Sequence, residues 1–482
     1  MRKNILTAII LGLIAFVAYL LTMPASVYTG DSGEIATAVA TWGIAHPTGF
    51  PVYLVLGKLF SYLVPFWEFA FKLNIFSAFT GAATVGILFL ILQKIKINYW
   101  ISVAVSLSLA FAHTFWSHAT VVRVYGLSAM FFALAIYFLL SWLEENPSTK
   151  FRAGKSWQLY LLAIICGFGA GTHLTFFLIF PFILIFVFVK DKKLFSIKKV
   201  VIFGVLFLII AGIVYSYIPL RASQSPELNW GDPSTKQSFI NYITQKDYAG
   251  KIGTRGYESW ILMTRELGSI FTREFTFVGL VLVLAGLIVA RKKYREWFWA
   301  GLAVITFNIL LLANYGNSED IIILYRYFLP SYIMMAVFIA IAIQKAKLLD
   351  TRYPIVLLLP VFIFAFNFQD LNRHNYTLVE DTAKNILESV PQNSILITSG
   401  DTLTGAIMYE QIVLENRTDL VVIDNKLFTH DNYRKGKKNK LEEKNMVFSD
   451  SFSELIEKNQ KSGVYVIDNS YFKKDFDVLS GG

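Results

Sequence analysis

Stretches of apolar residues long enough to cross a lipid bilayer recur along most of this chain, and no other feature constrains its fold as much. About eleven such runs can be counted, near residues 5–23, 72–93, 99–117, 124–143, 158–173, 174–189, 200–219, 275–290, 297–314, 327–345 and 354–370. In hydrocarbon every backbone N–H and C=O must be paired inside the protein, so a single run of this length has to be a helix. Only 16% of the residues are charged, against roughly a quarter in a soluble globule. The chain is therefore expected to be mainly α, a polytopic membrane protein with something soluble attached. The first run, Ile5 to Met23, follows Arg2 and Lys3 as a signal peptide would. It is longer than a typical signal core and reads as a retained first helix. The fifth and sixth runs are one stretch broken around Gly169, Gly171 and His173, expected to be a tight hairpin with His173 at its tip.

The net charge of +10 could suggest nucleic acid, but much of the Lys and Arg lies in short loops between apolar runs. If every run crosses, Arg2/Lys3, Lys94/Lys96, Lys150/Arg152/Lys155, Lys190 to Lys199, Arg291 to Arg295 and Lys345/Lys347/Arg352 all fall on one side. The excess of positive charge then puts the N-terminus in the cytoplasm. The loops 24–71 and 220–274 and the C-terminal region are expected outside. The lone Cys166 sits in an apolar run, so it says nothing of redox compartment.

Residues 1–370 thus form a transmembrane domain and 371–482 a second, extracytoplasmic one. In the second, β-branched runs at Ser394–Ser399, Leu420–Asp424 and Gly463–Ile467 alternate with helical patterns at Asp401–Glu415 and Phe452–Asn459. That order predicts a small α/β domain, with a Lys-rich loop at Arg434–Lys444.

The stretch from Tyr28 to Tyr53, YTGDSGEIATAVATWGIAHPTGFPVY, places two acids and a histidine among rigid turns where the chain leaves the first helix. D-S-G-E followed by A-H-P-T-G-F-P-V-Y resembles the signature of a large membrane-protein family, long catalogued as a domain of unknown function. That family includes the animal transmembrane O-mannosyltransferase acting on plexin- and Met-type receptors. The resemblance continues in SHATVVRVYGLSAMF from Ser117, YIPLRASQSPELNWGDP from Tyr217 and YRYFLPSY from Tyr325. It implies a GT-C-like fold, whose members take a sugar from a lipid-phosphate carrier on the non-cytoplasmic side.

The first outer loop of such folds carries a catalytic acid, which the resemblance maps onto Asp31, with Glu34 as helper or substitute. The residues also allow a structural reading: Asp-x-x-Glu before a helical run is a capping box. His46 could bond the sugar or the leaving phosphate, or serve as a turn residue ahead of Pro47. Arg221 and Arg326 lie in matched motifs and suit a lipid phosphate, because a guanidinium fork pairs with it bidentately. Either could equally anchor a helix at the headgroups. The resemblance leads one to expect an acid before Val-Tyr, where this chain has Arg123, so one polar contact of the site is altered. In N-W-G-D-P, Trp230 could stack on a sugar and Asp232 could bond hydroxyls, or the pair could close a turn. His113 and His118 have no metal-pair spacing, and neither a metal nor another cofactor is expected.

The expected function is transfer of a hexose, by resemblance mannose, from a polyprenyl- or dolichyl-phosphate carrier to an outer-side acceptor. The acceptor would be protein Ser/Thr or a glycan, and the step an inverting displacement. The rivals are a lipid-linked sugar transporter or flippase, and an inactive membrane assembly protein.

Overall fold

The structure, a computed structural model, describes residues 2–145, 157–190, 192, 196–251, 253, 256–316, 319–346, 355–425, 427–429 and 431–467. Lys150, Arg152, Lys155, Lys193, Lys347 and Arg352 of the charge pattern lie outside them. The helices run α1 Arg2–Thr22, α2 Ser32–Ala40, α3 Pro51–Leu63, α4 Phe69–Lys94, α5 Tyr99–Ala110, α6 His113–Ala119, α7 Tyr125–Glu145, α8 Trp157–Ala170, α9 Ile179–Lys190 and α10 Ile197–Ala222. They continue as α11 Lys236–Ile243, α12 Tyr257–Lys293, α13 Arg295–Ala313, α14 Leu329–Ala346, α15 Leu358–Leu371, α16 Leu378–Ser389, α17 Asp401–Met408, α18 Asp431–Glu443 and α19 Phe452–Lys458.

Each of the eleven apolar runs contains helix. Among the described residues, seven helices are long and apolar enough to span a membrane, or eight if the bent pair α5–α6 is one span. The runs near 158–173, 174–189 and 354–370 give shorter helices. This is a multi-pass membrane protein, and its outer faces are correspondingly apolar. Leu6, Leu13 and Leu21 on α1 and Val205, Leu208 and Ile213 on α10 are exposed, as side chains facing lipid must be.

Two segments expected as loops are largely helical. The stretch 220–274 holds α11 and the first half of α12, which breaks at Thr276 (φ +66°). Residues 434–443 belong to α18, where Leu441 is buried and Lys438 pairs with Glu442 one turn on. A Lys-rich sequence with an apolar anchor and i,i+4 pairs is a good helix former.

Strands β1 Ile395–Thr398, β2 Val421–Asp424 and β3 Val464–Val466 form a parallel sheet in the order β2-β1-β3. Ile395 pairs with Val421 on one side and Val464 on the other. The sheet packs on Leu441, Met446 and Leu455. Its first crossover helix, α17, lies against α2, so the sheet unit is joined to the loop that follows α1. That loop is set by Asn74 of α4. Fully buried, Asn74 donates to the carbonyls of Pro24 (3.0 Å) and Ser26 (3.1 Å).

Candidate active site

Asp31 immediately precedes α2 but does not cap it: its side chain accepts no hydrogen bond from the helix. Its backbone carbonyl does that work, accepting from Ile35 N–H at 2.9 Å. Glu34 does not reach back to the helix start either. Its two carboxylate oxygens take the backbone N–H of His46 (2.6 Å) and the ring Nδ1 (2.8 Å). The capping box offered by the sequence is not formed, and both acids are turned to other partners.

Asp31 is buried, with guanidinium nitrogens of Arg123 at 3.6 Å and Arg326 at 3.7 Å. Burial alone would raise its pKa, but these two cations override it and hold the carboxyl well below its usual range. Neither arginine is used up by this pairing. Nε and Nη1 of Arg123 and Nε of Arg326 are buried and make no hydrogen bond within the protein. Arg123 also donates to the carbonyl of Thr29. Arg326 stacks on the rings of Tyr125 (5.7 Å) and Tyr327 (5.3 Å), which fix its direction. Burial would lower the pKa of His46, yet the Glu34 carboxylate bound to it raises the value to about 9. His46 is therefore charged at neutral pH.

Apart from Arg123, these groups line a cavity of about 670 Å³. Asp31, Glu34, His46, Trp230 and Arg326 are on its wall, and so are Tyr125, His173, Tyr248, Lys251, Tyr327 and Asp401. Another part of the wall is apolar, with Leu174, Leu178, Phe307, Leu310, Leu311 and Ile323. A linked series of rings runs between the parts. Trp230 lies 6.0 Å from His46, His46 5.0 Å from Phe50, Phe50 6.0 Å from His173, and His173 stacks 5.4 Å from Tyr327. Behind Asp31 is a second, polar space of about 60 Å³ bounded by Arg123, Arg273, Arg326 and Arg373 with His113 and His118.

Three of the sequence candidates stand off the large cavity. Arg221 is the clearest case. Its Nε donates to the carbonyl of Trp42 (2.7 Å) and Nη2 to that of Thr41 (3.4 Å), so it holds the carbonyls that follow α2. Asp232 accepts from Asn229 Nδ2 at 3.1 Å and closes its own turn. Arg123 borders the small space and touches Asp31 from behind. Around the loop, Tyr217 donates to the Gly43 carbonyl (3.0 Å), Tyr242 to that of Ala45, and Ile44 pairs with the Leu228–Trp230 backbone. The N-W-G-D element and the end of α10 thus form a frame that delivers His46 and Trp230 to the cavity.

His173 is no bare hairpin tip. Its Nδ1 accepts from Thr175 N–H (3.2 Å), which leaves the proton of the neutral ring on Nε2, and the ring lines the cavity. Its signal in the sequence was an ionisable group in a Gly-rich break at membrane depth. Tyr125 and Tyr327 were within quoted motifs. Lys251, Tyr248 and Asp401 carried no local signal.

Comparison with known proteins bears directly on this arrangement. Residues 31–196 match the family described as Protein O-mannosyl-transferase TMEM260 N-terminal domain, and residues 379–479 match TMEM260-associated domain 2. The chain belongs to the TMEM260 family. The two matched segments contain the two helices that meet at the site, α2 and α17. The chain is 23% identical over 443 residues to mouse Protein O-mannosyl-transferase TMEM260, covering 86% of this chain and 62% of that one. It is 24% identical over 481 residues to Dictyostelium discoideum Protein O-mannosyl-transferase tmem260, with coverage of 88% and 58%. It therefore spans about three-fifths of the length of these TMEM260 relatives. Among solved structures, ArnT from Cupriavidus metallidurans bound to undecaprenyl phosphate superposes with a TM-score of 0.59 at 13% identity, covering 87% of this chain and 90% of that one. The Archaeoglobus fulgidus oligosaccharyltransferase tethered to an acceptor peptide superposes with a TM-score of 0.53 at 12% identity, covering 92% and 68%. These likenesses show that the chain has the GT-C fold.

Proposed function

We propose that this protein transfers a hexose, namely mannose, from a polyprenyl- or dolichyl-phosphate carrier to a hydroxyl of an extracytoplasmic acceptor, protein Ser or Thr. One observation carries the reading: Asp31, a buried carboxylate on a cavity wall, sits between Arg123 and Arg326, whose unused N–H groups face no protein acceptor. Unpaired buried donors are costly, and a phosphate on Arg326 would satisfy its free Nε–H. The apolar wall around Phe307, Leu310 and Leu311 suits the carrier's hydrocarbon. The names of the TMEM260 relatives support the sugar and the acceptor class, and the charge pattern of the loops supports the outer side.

In this reading the acceptor hydroxyl oxygen attacks the anomeric carbon while the bond from that carbon to the carrier phosphate oxygen breaks. The hydroxyl proton passes to the Asp31 carboxylate, and the phosphate departs as an anion on Arg326. The reading calls on no metal, since arginines balance the leaving charge. A carboxylate held so far below its usual pKa is by itself a weak base. Phosphate binding corrects this, because an arginine engaged by phosphate stabilises Asp31 less and lets its proton affinity rise. The test is transfer and donor hydrolysis with labelled polyprenyl-phosphate mannose, comparing the protein with Asp31→Asn. Loss of both in a folded variant supports the reading. Equal activity in the variant, or none in either protein with mannose, glucose or galactose donors, overturns it.

A further inference from the structure

The α/β unit reaches the site through one helix, and the contact is unusually close. Gly30 N–H, one residue before Asp31, donates to Thr402 Oγ1 at 2.7 Å. Three residues on, α2 and α17 cross glycine to glycine. A Cβ on Gly33 would overlap the Gly405 carbonyl, and one on Gly405 would stand 3.0 Å from the backbone nitrogen of Glu34. At the other end of α17, the Tyr409 hydroxyl accepts from Ala70 N–H (2.9 Å) and donates to Glu68. Backbone-on-backbone packing at one end and a buried hydroxyl at the other leave α17 little freedom to move relative to α2.

Its first residue, Asp401, lies on the wall of the large cavity with Asp31, His46 and Trp230. It enters from the side of α2. The apolar wall is built from α13, Ile323 and the segment after His173, on which α13 packs. On the transferase reading the carrier's tail takes that apolar wall and its phosphate takes Arg326. The sugar, joined to the phosphate, then falls toward Asp31, His46, Trp230 and Asp401. A pyranose presents an apolar C–H face and an edge of neighbouring hydroxyls. An indole matches the first, and an ionised carboxylate, with two acceptor oxygens and no donor, matches the second. We infer that Asp401 is a sugar-binding residue, accepting hydroxyls of the donor hexose, so that the α/β unit forms one wall of the donor site. The inference rests on the transferase reading for the identity of the donor, but the binding it describes can be measured without turnover.

The experiment compares the affinity of the full chain in nanodiscs for polyprenyl-phosphate mannose and for bare polyprenyl phosphate, in wild type and Asp401→Asn. Wild type is expected to bind the mannosylated carrier at least tenfold more tightly than the bare one. Asp401→Asn should lose about tenfold to a hundredfold on the mannosylated carrier, the range of a hydrogen bond to a charged group. Its affinity for the bare carrier should stay within about twofold of wild type, which also reports that the variant is folded. Unchanged affinity for both carriers overturns the inference. So does equal loss on both, or a wild type with no preference for the sugar. A preference that depends on Asp401, in a protein that transfers to no acceptor, would leave the sugar site standing and defeat the transferase reading alone.

Discussion

Two buried carboxylates, Asp31 and Glu274, lie at opposite extremes of what such a group can do in this protein. Glu274 sits on α12 just before its break and spends both oxygens on α6. It accepts from the backbone N–H of Thr114 at 2.9 Å and of Phe115 at 3.1 Å. The 64° bend between α5 and α6 exposes a fresh helix start inside the protein, and a helix start leaves N–H groups without partners. A carboxylate from 160 residues away supplies them. Asp31 also stands at a helix start, yet it takes no N–H from α2 and faces two cations across 3.6–3.7 Å beside a cavity. A carboxylate with both oxygens bonded to backbone N–H groups is structural. One held by charge alone, with its partners underused, can exchange them for a ligand.

The sharpest way to break this contrast is Asp31→Asn. It should lower transfer per folded molecule by about a thousandfold, the scale of a lost general base. Glu274→Ala should do the reverse. Two buried N–H groups lose their acceptor, costing about 3 kcal/mol of stability, while activity per folded molecule stays close to wild type. Denaturation and active-site titration of the same samples would separate the two, and a stable, inactive Glu274→Ala would erase the distinction. Arg326→Ala removes a phosphate partner and should cost about a hundredfold in kcat/KM, whereas Arg221→Ala, which frees two loop carbonyls, should cost less than about tenfold. Steady-state kinetics on both would test whether they differ as their contacts do.

The smallest effect expected is on pH. His46 is raised to about 9 by Glu34, from about 6.5 in the unfolded chain. The stabilisation from the charged pair is complete below about pH 6.5 and is lost as pH rises through about 9. Melting temperatures of wild type should therefore decline between pH 7 and 9.5 more than those of Glu34→Gln. Parallel curves for the two would remove the ion pair from the account.

The membrane helices were legible because a hydrocarbon solvent admits so few structures. Each long apolar run had to be helical wherever it came to pack. The position of Asp31 on the chain was legible too, since turn residues and acids are concentrated between Tyr28 and Tyr53. Its role was not, because the same Asp-x-x-Glu spacing writes a helix cap and a site. The choice depended on Arg123, Arg326 and His46, each brought in by a different part of the fold. Arg221 shows the converse. It occupied a promising motif, yet the carbonyls it serves became its neighbours only when α10 packed beside α2.

By itself, then, the sequence determined that this is a mainly helical membrane protein with an α/β unit near its end, because hydropathy and strand–helix alternation are local properties of the chain. Only the tertiary structure decided which charges meet. Asp401 lies 370 residues from Asp31 and has no local mark of function. Two glycines allow α2 and α17 to touch backbone to backbone, and that contact places both acids on one cavity wall. Such proximity arises from packing between distant segments, and no local window of sequence encodes it.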